Sequence, residues 1–173
     1  MSTRRRARVP YLSCHDAAAV PGILRELAPR SAIIDIEPLV ARWNSGTADL
    51  DAGVAAFLAA VAADPGRLRD VVFATNSARR PSEIRTAGGL RVGYVSHADK
   101  PLRVGRYRRL ARPGLVVGDQ IATDGVLAWR LGLAFVHYIP DDRAAPPGPR
   151  ILHAIGRPMR RVLFRPGSAG PAP

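Results

Sequence analysis

Six residues place chemically useful groups at or beside the ends of apolar runs. Asp35 lies near the end of the run 32–36, Thr75 and Asn76 close the run 70–74, and Asp119 follows the run 115–117. Asp124 comes five residues later, at the mouth of a helical stretch, and Lys100 sits in the loop after the run 91–95. So many carboxylates beside one ammonium repel each other unless a divalent cation joins them. Magnesium suits such a set, because it prefers oxygen ligands and bridges to phosphoryl groups. Lys100 has a further distinction: of 26 basic residues it is the one lysine, and the other 25 are arginine. A compact ammonium fits a tight pocket where a planar guanidinium does not.

The elements that must position these residues are read from periodicity. Val20, Ile23, Leu24 and Leu27 fall at helical spacing, and residues 32–36 (AIIDI) predict a buried strand. Leu50, Val54, Phe57, Leu58 and Val61 predict an amphipathic helix, stopped by Asp64-Pro65-Gly66. Strands are expected over 70–74, 91–95, 115–117 and 134–138. Helical segments are expected from near Pro81 to Gly88-Gly89, over 104–111 and over 125–131. A basic amphipathic helix fits 151–164, although Gly156 and Pro158 argue for a break. The strand–helix alternation specifies an α/β fold, a central parallel sheet covered on both faces. Ligands in such folds collect at the carboxyl ends of the strands, where the six residues would meet. Residues 1–10 read as a basic disordered tail, 11–165 as one domain with its motifs in 33–124, and 166–173 as a second disordered tail.

Composition narrows the classes. A chain of 173 residues suits one domain with its own core. Its single cysteine, Cys14, excludes a disulfide framework or a cysteine-based zinc site. No apolar run approaches a membrane span of roughly 18 residues. Arg4, Arg5, Arg6 and Arg8 are followed by Cys14-His15-Asp16 rather than by the apolar stretch of a signal peptide. A soluble cytoplasmic protein is expected. The net charge of +12 favours anionic partners: phosphorylated substrates, an acidic membrane or nucleic acid.

The order acid-x-acid, threonine, lysine, GDxxxxD resembles the four motifs of the haloacid-dehalogenase-like (HAD) superfamily. Here they read IIDIEPLV (33–40), VVFATN (71–76), ADKP (98–101) and VGDQIATD (117–124). The segment from Pro10 to Gly46, with Trp43 after the first motif, is similar to the YqeG-like group of HAD subfamily IIIA, related to phosphatidylglycerophosphate phosphatases. The resemblance spans roughly residues 10 to 140 and implies a magnesium-dependent phosphomonoester hydrolase with a three-layer sandwich. By it, Asp35 would attack phosphorus to give an aspartyl-phosphate, and Glu37 would protonate the leaving group and activate water. Thr75 and the backbone N–H of Asn76 would bind the phosphoryl group, and Lys100 would neutralise its charge. Asp35, Asp119 and Glu37, the last through its backbone carbonyl, would hold Mg2+, with Asp124 ordering that shell. Receiver domains share the Asp, Thr and Lys but carry their acidic pair on the first strand and have no later GDxxxxD. Only 39 residues separate Asp35 from Thr75, and 24 separate Thr75 from Lys100, too few for a sizeable cap domain. An open site is expected.

Three residues depart from the family pattern. Glu37 stands where a second Asp is usual, Pro38 sits in the following turn, and Leu39 replaces the usual Thr. A catalytic group misplaced by about 1 Å costs about 100-fold in rate. The alternative reading is therefore a weakened phosphoryl- or metal-binding protein with a regulatory or interaction role. The basic stretches 103–112 and 157–165 fit peripheral contact with an anionic membrane at its inner face. Nucleic-acid binding is a minor alternative, because no such motif is present and aromatics are sparse. His15, His97, His137 and His153 show no ligand spacing, and His97 reads as a solvated loop residue. Trp43 reads as a packing anchor or a substrate contact, and Cys14 as inert.

Overall fold

A computed structural model describes residues 7–84, 86–140 and 146–167. Seven strands form one parallel sheet: β1 (Val9–Cys14), β2 (Ser31–Asp35), β3 (Asp70–Ala74), β4 (Arg91–Val95), β5 (Gly114–Gly118), β6 (Ala134–Tyr138) and β7 (Phe164–Pro166). The helices are α1 (Val20–Leu27), α2 (Thr47–Ala63), α3 (Val126–Leu131) and α4 (Pro147–Leu163). Alternation along the strands sorts the core into two faces. Ile34, Phe73 and Val117 pack with Val20 and Leu24 of α1 and with Leu50, Val54 and Leu58 of α2. Ile33, Val116 and Phe135 pack with Leu127 and Leu131 of α3 and Leu163 of α4. The result is the three-layer α/β sandwich expected, with β2 and β5 buried along their whole length at its centre.

Across the sheet the strand order is β4-β3-β2-β5-β6-β1-β7. From β2 the chain moves outward to β3 and β4, then returns to β5 on the other side of β2. The direction of winding reverses between β2 and β5, and a crevice must open there at the carboxyl ends. Register places the key residues on that edge: Asp35 pairs with Ala74, next to Thr75, and Ile34 pairs with Val117, two residues before Asp119. The connection from β2 to β3 holds α2, and that from β3 to β4 holds no helix among its described residues. Among the described residues no cap domain stands over the edge.

Several elements differ from expectation. Val9 and Pro10 belong to β1, which lies parallel to β6 and β7, so the last two residues of the expected basic tail enter the sheet. Pro166 likewise ends β7, and the Gly167 N–H donates to the Tyr11 carbonyl at 2.8 Å. Residues 1–6 and 168–173 lie outside the described residues. The expected helix from Pro81 to Gly89 is irregular chain, because the segment has no apolar stripe to bury: Ile84 is exposed. The stretch 104–111 forms only a 3-10 turn, Val104–Tyr107, with Tyr107 buried and Gly105 weakening any longer helix. No helix among the described residues is long and apolar enough to cross a membrane.

The helix α4 runs unbroken through Gly156 and Pro158. Pro158 is exposed, so water can serve the carbonyl it leaves without a helical donor. Gly156 is buried and is the point of closest approach: a Cβ there would lie 2.9 Å from Ile121 Cβ and 3.1 Å from the Ala122 nitrogen. Gly156→Val should therefore destabilise the fold by about 1–3 kcal/mol through overpacking. Thermal unfolding checks this against Ala154→Val on the exposed face, expected to change stability by less than about 0.5 kcal/mol.

Candidate functional site

The acidic centre is assembled by three different elements. Asp35 ends β2, Asp119 follows β5, and Asp124 lies in a π-helical turn, Ile121–Gly125, that leads into α3. The three carboxylates are buried, and one oxygen from each lies within 4.8 Å of the others. The π turn matters because its extra residue turns Asp124 back toward β5; the Gly125 and Asp124 N–H groups both donate to the Gln120 carbonyl. Only glycine fits opposite it. A Cβ on Gly118 would overlap the Asp124 carboxylate.

Lys100 enters this cluster from the loop after β4. Its Nζ donates to Asp35 Oδ1 at 2.6 Å and to the Ala74 carbonyl at 2.9 Å, and pairs with Asp124 Oδ1 at 2.7 Å. Asn76 holds the loop that delivers it. The Asn76 Oδ1 accepts from the Lys100 N–H at 2.8 Å, while its Nδ2 donates to the Lys100 carbonyl at 3.2 Å. The Ala98 N–H also donates to the Thr75 carbonyl at 2.9 Å. Thus Thr75-Asn76 and the ADKP loop form one clamped unit.

The charges do not balance. One ammonium faces three buried carboxylates, and Asp119 Oδ1 is buried without a hydrogen-bond partner among the described residues. Burial, then the charge of Asp124, raises the Asp35 pKa well above the usual carboxylate range despite Lys100. Burial raises Asp119 too, against the opposing hydrogen bond from His153. Burial alone would lower Lys100, but Asp124 and Asp35 outweigh it and hold the ammonium charged. A divalent cation among the three oxygens would supply the missing positive charge and a partner for Asp119 Oδ1. The donor set, all carboxylate oxygen, fits Mg2+.

Glu37 is placed differently. Its side chain is not part of the carboxylate triple. Glu37 Oε2 accepts from Thr75 Oγ1 at 2.7 Å, and Oε1 accepts from Arg79 Nη1 at 2.9 Å. Arg79 is itself fixed, its Nη2 donating to the Ser45 carbonyl at 2.8 Å and to Ser45 Oγ at 2.9 Å. Sequence reasoning missed Arg79, since one arginine among so many carries no signal. A cavity of about 270 Å3 opens here, lined by Asp35, Glu37, Trp43, Thr75, Lys100 and Leu152. Trp43 therefore borders the site. Leu152 and Pro149 come from α4, which walls one side of an edge expected to be open.

Two histidines without a sequence signal converge on Asp119. His153 Nε2–H, from α4, donates to Asp119 Oδ2 at 2.9 Å. His137, on β6, lies 2.8 Å through Nε2 from the Asp119 carbonyl, which can only accept, so this nitrogen carries a proton. Burial lowers the His137 pKa, and the neutral ring then accepts from Tyr11 O–H at Nδ1, 2.8 Å away. His97, by contrast, is an exposed loop residue.

If the ammonium compensates the buried carboxylates, Lys100→Met should lower stability by about 3–5 kcal/mol in metal-free buffer. The second substitution Asp124→Asn should restore part of the loss, measured by urea unfolding. A Lys100→Met protein as stable as wild type would contradict the pairing.

Comparison with family models, curated proteins and solved structures gives no match for this chain.

Proposed function

We propose that the chain is a Mg2+-dependent phosphomonoesterase of the HAD type, working through an aspartyl-phosphate on Asp35. The supporting observation is the placement of the Asp35 carboxylate. It faces a cavity at the winding reversal of the sheet, paired with Lys100 and grouped with Asp119 and Asp124. Its hydrogen bonds from Ile36 N–H and Lys100 both fall on Oδ1, which leaves Oδ2 to attack phosphorus. Asp35, Asp119 and Asp124 would hold the cation, with the backbone carbonyl of Glu37 as a further oxygen ligand. Bound there, Mg2+ would offset the charge of the carboxylates and of the substrate phosphate. Lys100 stabilises charge on the transferring group, and Thr75 together with the Asn76 N–H orients it. Glu37 serves as the acid and base.

The substrate class is a phosphate monoester, either phosphatidylglycerophosphate or a small soluble ester, in the cytoplasm or at the inner membrane face. Membrane contact is supported by α4. It exposes Ile151, Ile155 and Val162 along one stripe and Arg150, Arg157 and Arg161 along the next. Nucleic acid is the lesser candidate partner.

A second reading has its own support. Arg79 and Thr75 occupy both oxygens of Glu37, and the Thr75 hydroxyl is spent on Glu37 rather than directed to a phosphoryl group. A protein that binds phosphate or metal with little turnover fits this arrangement.

The test is hydrolysis of p-nitrophenyl phosphate and of phosphatidylglycerophosphate in vesicles, with and without Mg2+. Asp35→Asn should abolish Mg2+-dependent release, and Glu37→Ala should reduce it about 100- to 10,000-fold. Activity that survives Asp35→Asn would refute the mechanism. A silent wild type that Glu37→Asp awakens would favour the second reading.

A further inference from the structure

Beside the acidic centre, on the far side of Asp119, lies a larger cavity of about 650 Å3. That volume exceeds what one inorganic anion fills and falls within the range of small-molecule sites. Its lining includes apolar Ile121, Ile139 and Pro140, together with Arg157, Arg160 and Arg161 from α4. Among the described residues no carboxylate pairs with any of these three guanidiniums, and α4 itself contains no acidic residue. Asp119, the one acid among the described residues that borders the cavity, is held by His153 on Oδ2.

One of the three arginines is held in place. Arg160 lies over the Tyr11 ring, 4.3 Å from its centroid. Tyr11 is in turn fixed by its hydrogen bond to His137, whose other nitrogen is tied to the Asp119 carbonyl. Guanidinium forks match phosphate oxygens in paired hydrogen bonds. We infer that this cavity is a second anion site, distinct from the Asp35 cavity, which binds the phosphate group of an organic phosphate with the three arginines and its carbon skeleton with Ile121 and Ile139. The phosphate can belong to a soluble ester or to a lipid headgroup.

The site is tested by calorimetric titration of the full chain, with EDTA present so that no divalent cation supports binding at Asp35. The probes are glycerol 3-phosphate in one arm and phosphatidylcholine vesicles containing phosphatidic acid in the other. Saturable binding of the soluble ester supports a free organic phosphate. Binding of the vesicles alone supports a lipid headgroup. In either case Arg157→Gln/Arg160→Gln should weaken the interaction about 10- to 100-fold. Arg67→Gln/Arg69→Gln, which removes equal charge elsewhere, and Asp35→Asn should leave the affinity within about twofold of wild type. The proposal is overturned if neither probe binds, if the Arg67/Arg69 pair weakens binding as much as the α4 pair, or if Asp35→Asn abolishes it. Because the readout is binding without metal, a protein with no phosphatase activity can still pass this test.

Discussion

Three carboxylates buried around one ammonium are the constraint on which the rest of this edge of the sheet depends. Each of Asp35, Asp119 and Asp124 is nearly inaccessible to solvent, so none can disperse its charge into water. The surrounding features follow from the need to hold these groups together. The π turn and Gly118 let Asp124 return over β5. The Asn76 side chain grips the backbone of Lys100 at both ends, so the ammonium reaches Asp35 and Asp124 together. The strand register does the remainder, setting the ends of β2, β3 and β5 side by side. An imbalance of this kind is costly for a structural role alone and useful for holding a cation.

The C-terminal helix gives that edge its asymmetry. Through Gly156 it lies against the π turn, and from there it serves two cavities. Pro149 and Leu152 wall the cavity of Asp35, whereas His153 and the arginines line the cavity beyond Asp119. Asp119 lies between them, its carboxylate shared by the triple and His153. With no cap domain among the described residues after β2 or β3, α4 and the Trp43 loop shape access to this edge. Its outward face, apolar beside basic, sits next to both openings.

Much of this was legible in the sequence, for a physical reason. Asp35, Thr75 and Asp119 interrupt or end runs that are otherwise apolar, and a polar residue there must face the strand ends. Lys100 stood out by type, and Asp124 by its spacing from Asp119. The sheet and α2 followed from clear periodicity. What was not legible depends on contacts distant in sequence. Arg79 meets Glu37 across 42 residues, and His137 and His153 meet Asp119 only because β6 and α4 pack there. β1 was hidden by its arginine-rich approach and by Pro10, and β7 is only three residues long. Gly156 read as a helix breaker because its packing against Ile121 cannot be seen locally. The segment after Thr75 carried helix-like punctuation but no apolar stripe, and it folded as irregular chain.

Whether the carboxylate triple holds a divalent cation is read from calorimetric unfolding of wild type and Asp119→Asn across a Mg2+ titration. The wild-type midpoint should climb steadily with Mg2+, by an amount equivalent to about 2.7 kcal/mol when the cation is a hundredfold above its dissociation constant. Asp119→Asn should show no such climb. A wild-type midpoint indifferent to Mg2+, or an equal rise in Asp119→Asn, would mean that the triple does not hold Mg2+.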